Sequence, residues 1–123
     1  MKTKTYVILG VIVVGLLVIL STPIIDLSPG KYDEFAKCVT ESGAMMYGAY
    51  WCPHCIEQKE SFGNSWKYIV YKECSLPNRG GQTEECQEAG IESYPTWEFS
   101  DGSREQGFVS LSRIAELTGC ELP

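Results

Sequence analysis

Apolar residues run unbroken over residues 6–20 (YVILGVIVVGLLVIL), and the membrane-compatible stretch extends to Ile25, 20 residues in all. At about 1.5 Å per residue, a helix of this length spans roughly 30 Å, the thickness of a bilayer core. Beyond it the pattern breaks into short elements. Tyr32, Phe35, Ala36 and Val39 stand at i, i+3, i+4 and i+7 and predict an amphipathic helix over residues 31–42, ended by Gly43. Residues 44–50 (AMMYGAY) predict a buried strand, followed by a helix to about Phe62, where Gly63 and Asn64 break it. Residues 66–73 (WKYIVYKE), rich in aromatic and β-branched side chains, predict a second strand. A polar loop over 75–82 leads to a short helix with Thr83 as N-cap, Glu84 and Glu85 in its first turn and Gly90 past its end. Residues 96–100 and 105–109 flank Asp101-Gly102-Ser103 and predict a hairpin. Leu111, Ile114, Ala115 and Leu117 give a last helix closed by Gly119. The order α-β-α-β-α-β-β-α, with its first two strands joined through a helix and therefore parallel, predicts an α/β sandwich.

Three segments follow: a cytoplasmic stub and anchor over 1–25, a linker over 26–30 (DLSPG), and one small domain over 31–123. Lys2 and Lys4 precede the apolar run and no basic residue follows it until Lys31, so the positive-inside bias places the N-terminus in the cytoplasm and the domain outside. A cleaved signal peptide is the alternative. Its apolar region would exceed the usual stretch of about 7–15 residues, and Ser21-Thr22-Pro23 offers no small-x-small cleavage site. A buried core helix is the third reading, but a domain of about 90 residues could hardly cover such a helix on all faces.

The chain carries 10 basic and 16 acidic residues, net −6; without Lys2 and Lys4 the count is 8 against 16, net −8. Such a domain repels phosphate backbones, which argues against nucleic-acid binding. A single histidine argues against multi-histidine metal sites. Six cysteines, Cys38, Cys52, Cys55, Cys74, Cys86 and Cys120, all follow the apolar run, and an even count in a short domain behind a hydrophobic N-terminus reads as disulfide chemistry outside the cytoplasm.

The candidate chemistry lies in Trp51-Cys52-Pro53-His54-Cys55, between a strand and a helix. A helix N-terminus carries roughly half a positive charge and free N–H donors, both of which favour a thiolate at Cys52. Pro53 costs little there, since its missing N–H would have had no partner. His54 adds a neighbouring positive or hydrogen-bonding group. Cysteines so placed have pKa values of about 3.5–7.5. The spacing makes Cys52 the exposed attacking thiol and Cys55, one turn inward, the resolving one. A positive neighbour also favours the reduced form, which leans the pair towards donating disulfides.

Other readings of the motif are weaker. A zinc site completed by Cys74 and Cys86 has a suitable 18-residue gap after Cys55, but 11 residues rather than two separate its second pair. A purely structural bridge rarely opens a helix, and haem attachment would need His where Ile56 stands. Cys74 and Cys86 bracket a loop of about 13 residues, whose closure contributes roughly 3 kcal/mol. Cys38 and Cys120 lie near the two ends of the domain. These four are most simply structural, with a second redox pair as the competing idea. Pro95 in Tyr94-Pro95-Thr96 is either punctuation at the start of a strand or a cis proline whose neighbouring backbone binds substrate. Of the aromatic residues, Trp51 beside Cys52 is the functional candidate.

The strand–WCPHC–helix–strand–(helix)–YPT–hairpin–helix order resembles the thioredoxin fold. More closely, FAKCVTESGAMMYGAYWCPHC, SWKYIVYKECS, AGIESYPTWEF and ELTGC resemble the thioredoxin-like domain fused to, or encoded beside, bacterial, archaeal and plant homologues of vitamin K epoxide reductase, over about residues 34–120. The resemblance implies a domain on the oxidising side of a membrane that passes disulfides to newly exported proteins with free thiols. A four-helix membrane oxidase, linked to quinone, would then reoxidise it; no cofactor of its own is implied. It makes Cys52 and Cys55 the redox pair, Pro95 the cis proline, Trp51 and Tyr94 substrate neighbours, and Cys74–Cys86 and Cys38–Cys120 structural pairs. With a single apolar segment, the domain is expected to be tethered alone, its oxidase a separate protein. Met46 stands where thioredoxins proper carry a buried aspartate, so Cys55 is expected to lack an internal base. The rivals are an extracytoplasmic reductase or isomerase, and a zinc-binding structural module.

Overall fold

A computed structural model describes residues 1–21 and 28–123, with the side chains of Leu20 and Ser21 excepted. The C-terminal end of the expected anchor, its exit at Thr22 and Pro23, and the first part of the 26–30 linker lie outside the described residues. Helix α1 (Lys2–Ser21) is long and apolar enough to cross a membrane, and residues 2–19 are entirely unburied. Its exposed Val, Ile and Leu side chains are what a lipid-facing helix presents.

The remaining elements are α2 (Asp33–Glu41), β1 (Met45–Gly48), α3 (Pro53–Phe62), β2 (Tyr71–Glu73), α4 (Glu84–Glu88), β3 (Thr96–Glu98), β4 (Arg104–Gln106) and α5 (Leu111–Thr118). The sheet order is β2-β1-β3-β4. β1 runs parallel to β2 (Met46 opposite Tyr71) and antiparallel to β3 (Met46 opposite Trp97), and β3 and β4 form the expected hairpin. A four-stranded mixed sheet flanked by helices in this order is a thioredoxin-like fold.

Alternation along β1 divides the interior in two. Met46 turns towards Phe35, Ala36 and Val39 of α2, Cys55 and Phe62 of α3, Trp97 of β3 and Ile114 of α5. Phe62 is the centre of this face, 6.0 Å from the Phe35 ring, 5.7 Å from Trp66 and 6.2 Å from Trp97. Tyr47 turns the other way, onto Cys74, Cys86 and Ile91. The helix ends follow local chemistry: Thr83 Oγ1 accepts from Cys86 N–H, Ser110 Oγ accepts from Arg113 N–H, and Gly119 adopts a left-handed φ of 71° after α5.

One expected element differs. The strand predicted over residues 66–73 begins only at Tyr71, and Gly63–Tyr68 is a 3-10 helix. Gly63, at φ +55°, ends α3 without releasing the chain into a strand. Polar bonds then hold the turn against α2: Tyr32 N–H donates to Ser65 Oγ (2.9 Å), Ser65 Oγ to Asp33 Oδ1 (2.9 Å), and Thr40 Oγ1 to the Tyr68 carbonyl (2.6 Å). The first strand is also shorter than predicted, stopping at Gly48, and Tyr50 projects into solvent.

Candidate functional site around the Cys52-Cys55 pair

The end of β1 and the start of α3 place the motif. Cys52 N–H donates to the Ala49 carbonyl (3.0 Å), turning the chain, and the Cys52 carbonyl accepts from Ile56 N–H (3.1 Å), starting α3 with Pro53 in its first turn. Cys52 is thus the N-cap residue, beside the positive end of the helix dipole. Cys52 and Cys55 are the two unbridged cysteines. Disulfides join Cys38 to Cys120 and Cys74 to Cys86. Each member of the Cys74–Cys86 pair is bonded to the other, so these sulfurs are not ligands that could complete a zinc site with the CxxC.

Cys52 is not the exposed thiol that the spacing suggested. It is only 6% exposed, against 0% for Cys55. Its sulfur is tucked against the Tyr94 carbonyl oxygen, to which the S–H donates at 3.5 Å, and the residue packs into the main core. The Tyr94–Pro95 peptide is cis. Tyr94 and Trp51 meet edge to face at 6.1 Å, and Trp51 Nε1 donates to Ser75 Oγ (2.8 Å). Trp51, Cys52, Tyr94 and Pro95 therefore form one contiguous site. Pro53 is exposed on its outer side. The His54 ring is two-thirds exposed, with Nδ1 3.3 Å from Glu57 Oε2 one turn along α3.

Cys55 is enclosed by groups that the sequence did not single out. A Cβ placed on Gly48 would lie 2.9 Å from Cys55 Sγ, 2.9 Å from Tyr71 Cε2 and 3.3 Å from Met46 Cε. Only a residue without a side chain lets sulfur, phenol ring and thioether share this space. A glycine inside an otherwise apolar strand is the signal that could have found it. Burial, reinforced by the Cys52 thiol beside it, pushes the Cys55 thiol up to about 12. Met46 is fully buried and supplies no carboxylate.

The nearest acidic chain of contacts runs through Tyr71, whose hydroxyl donates to Glu73 Oε2 (2.6 Å). Burial and that hydrogen bond both push the Tyr71 phenol above its ordinary range. Glu73 Oε1 also accepts from the N–H groups of Tyr50 (3.1 Å) and Ser75 (3.0 Å). Lys59, one turn after Cys55, holds its ammonium 4.0 Å from the Tyr71 ring centroid.

Gln58 fixes α3 from behind. Fully buried, its Oε1 accepts from Val109 N–H (2.8 Å) and Trp97 Nε1 (3.2 Å), and its Nε2 donates to the Val109 carbonyl (2.9 Å). Its second Nε2 proton goes to Ser61 Oγ (3.3 Å), so no polar group of the amide is left without a partner.

A strand-to-helix turn that sets one of two free thiols against the carbonyl preceding a cis proline is suited to exchange with a sulfur from outside. The chain is similar to a thiol–disulfide oxidoreductase. That relative is the thiol-disulfide oxidoreductase LTO1 of Arabidopsis thaliana, 42% identical over 91 residues, which cover 71% of this chain and 24% of the relative. The chain thus spans about a quarter of the length of this relative. No protein-family model matches the chain.

Proposed function

We propose that this chain is a membrane-anchored thiol–disulfide oxidoreductase that donates disulfides to exported proteins. The observation that carries the reading is the pairing of two unbridged cysteines at the N-terminus of α3 while the other four are joined in bridges. The similarity to a plant thiol-disulfide oxidoreductase supports the same chemistry.

In the proposed cycle, a substrate thiolate attacks Sγ of Cys52 in the oxidised pair. The Cys52–Cys55 bond breaks, and Cys55 leaves with the electron pair and takes up a proton. A second substrate thiolate then attacks the substrate sulfur of the mixed disulfide, and Cys52 leaves as thiolate. The substrate loses two electrons and the pair gains them; the two substrate thiol protons pass to solvent, and one proton returns to Cys55. A separate membrane disulfide oxidase of the vitamin K epoxide reductase type accepts the electrons in turn and passes them to a quinone.

The proposed direction rests on Met46, which stands fully buried where a thioredoxin-style reductase carries an acid; burial of Cys55 itself slows its attack and its departure alike and favours neither direction. The unburied α1 supports a membrane location, with the N-terminus cytoplasmic and the domain outside according to the Lys2 and Lys4 bias. The test is substitution of each cysteine in the full chain. Cys52→Ser is expected to abolish exchange, and Cys55→Ser to accumulate mixed disulfides through Cys52 with exported proteins. A Cys55→Ser protein that traps nothing contradicts these roles.

A further inference from the structure

Arg79 stands at the rim of the site in an unusual backbone. The loop between β2 and α4 is pinned by a Ser75–Gln82 bridge and by Leu76 N–H donating to the Gly81 carbonyl (2.9 Å). Within it, Asn78 (φ 57°) and Arg79 (φ 55°) are both left-handed, the two non-glycine residues so placed among those described. That conformation costs free energy for a side-chain-bearing residue and persists where surrounding contacts over-determine it. Here they do. Arg79 N–H donates to the Tyr50 hydroxyl (3.3 Å), and the guanidinium carbon lies 5.0 Å from the Trp51 ring centroid. The chain thus holds a cation on the indole of the residue that precedes Cys52.

The carboxylates of this region are engaged by other partners. Glu57 faces His54, and Glu73 receives hydrogen bonds from Tyr71, Tyr50 and Ser75. Among the described residues Arg79 makes no ion pair, whereas Arg104 and Arg113 are both paired with glutamates. In a chain of net charge −6 this places an unpaired guanidinium on the residue next to Cys52. A guanidinium stacked on one face keeps its edge N–H groups free to fork onto a carboxylate.

We propose that Arg79, held on Trp51, is a specificity-determining residue that selects polypeptide substrates carrying a carboxylate next to the target cysteine. The proposal rests on the exchange reading of Cys52 above. It adds a substrate class to it: thiol peptides with Asp or Glu flanking the thiol, favoured against the repulsion of the acidic domain as a whole.

The test uses the full chain in detergent, with the Cys52–Cys55 pair oxidised. Three dithiol peptides, identical except for Asp, Asn or Lys beside one cysteine, are mixed with it, and the second-order rate constant of exchange is followed by Trp fluorescence. The readout is the ratio of rates within each protein, so any general change in reactivity cancels. The expected order is Asp, Asn, Lys, with about two- to five-fold between neighbours. The spread should shrink in about 0.5 M salt, where screening falls to a few ångströms. In Arg79→Glu the order should invert, and in Arg79→Lys it should persist with a smaller spread. Exchange with all three peptides at equal rates in the unaltered protein, or the same preference in Arg79→Glu, overturns the proposal and leaves the exchange reading standing. Absence of exchange with every peptide removes the exchange reading, and this proposal with it.

Discussion

The sulfur of Cys52 and the carbonyl oxygen of Tyr94 stand 3.5 Å apart across two segments 42 positions distant in sequence. One belongs to the N-cap of α3, the other to the backbone ahead of the cis proline. Their proximity is what converts a local motif into a site, and it depends on β1 and β3 being neighbours in the sheet.

The Cys55 thiol should titrate well above the ordinary thiol range. Burial raises Cys55 from its ordinary 9.0 to about 12. Under reducing conditions, alkylation of Cys55 followed by mass spectrometry is expected to be still rising at about pH 10. A plateau near pH 9 contradicts the enclosure described. The sign for stability follows the same shift. The folded state holds this proton more tightly than the unfolded chain, so the contribution is complete below about pH 9 and is lost as pH rises towards about 12.

Gly48→Ala tests the space shared by Cys55 and Tyr71. The added methyl would meet Sγ and Cε2, each at 2.9 Å, and one of them must move. The expected cost is about 1–3 kcal/mol in urea unfolding of the reduced protein. A cost within error of zero would mean that the pocket is looser than its geometry.

Gln58→Leu removes the bonds that tie α3 to β3 and to Val109. It strands a buried Val109 N–H, a Val109 carbonyl and the Trp97 indole N–H, for an expected loss of about 2–4 kcal/mol. Equilibrium unfolding measures it directly. A neutral result would assign the fixing of α3 to packing alone.

The Cys38–Cys120 bridge closes a sequence separation of 82, which contributes about 4 kcal/mol by chain entropy. The Cys38→Ala, Cys120→Ala double variant should lose stability of that order. It should still exchange at Cys52 with a small dithiol at the unaltered rate. Loss of exchange in a protein that remains folded would place this pair on the electron path.

Much of this was legible in the sequence because it is local. The CxxC after an apolar strand, the Thr83 cap, the Asp101-Gly102-Ser103 turn and Gly119 each act within a few residues, and the helices and the hairpin follow from them. The misread strand over residues 66–73 shows the limit. Trp66 and Tyr68 have strand composition, yet they serve a 3-10 turn whose hydrogen bonds go to Asp33 and Thr40 of α2 and to Tyr32 just before it, some 28–33 positions away. The covering of Cys52 by Tyr94, and the Gly48, Tyr71 and Glu73 surroundings of Cys55, are likewise set by strand pairing, which no local pattern prints. The turn of His54 towards Glu57 is an i, i+3 contact, readable in hindsight from the helix itself.

The central claim is that the Cys52–Cys55 pair gives disulfides away. Its most direct test is the reduction potential of that pair, measured in the full chain in detergent against glutathione buffers. The account predicts a value well above about −200 mV, among the disulfide donors. A value near about −270 mV, where thioredoxin lies, would reverse the direction of electron flow and contradict it.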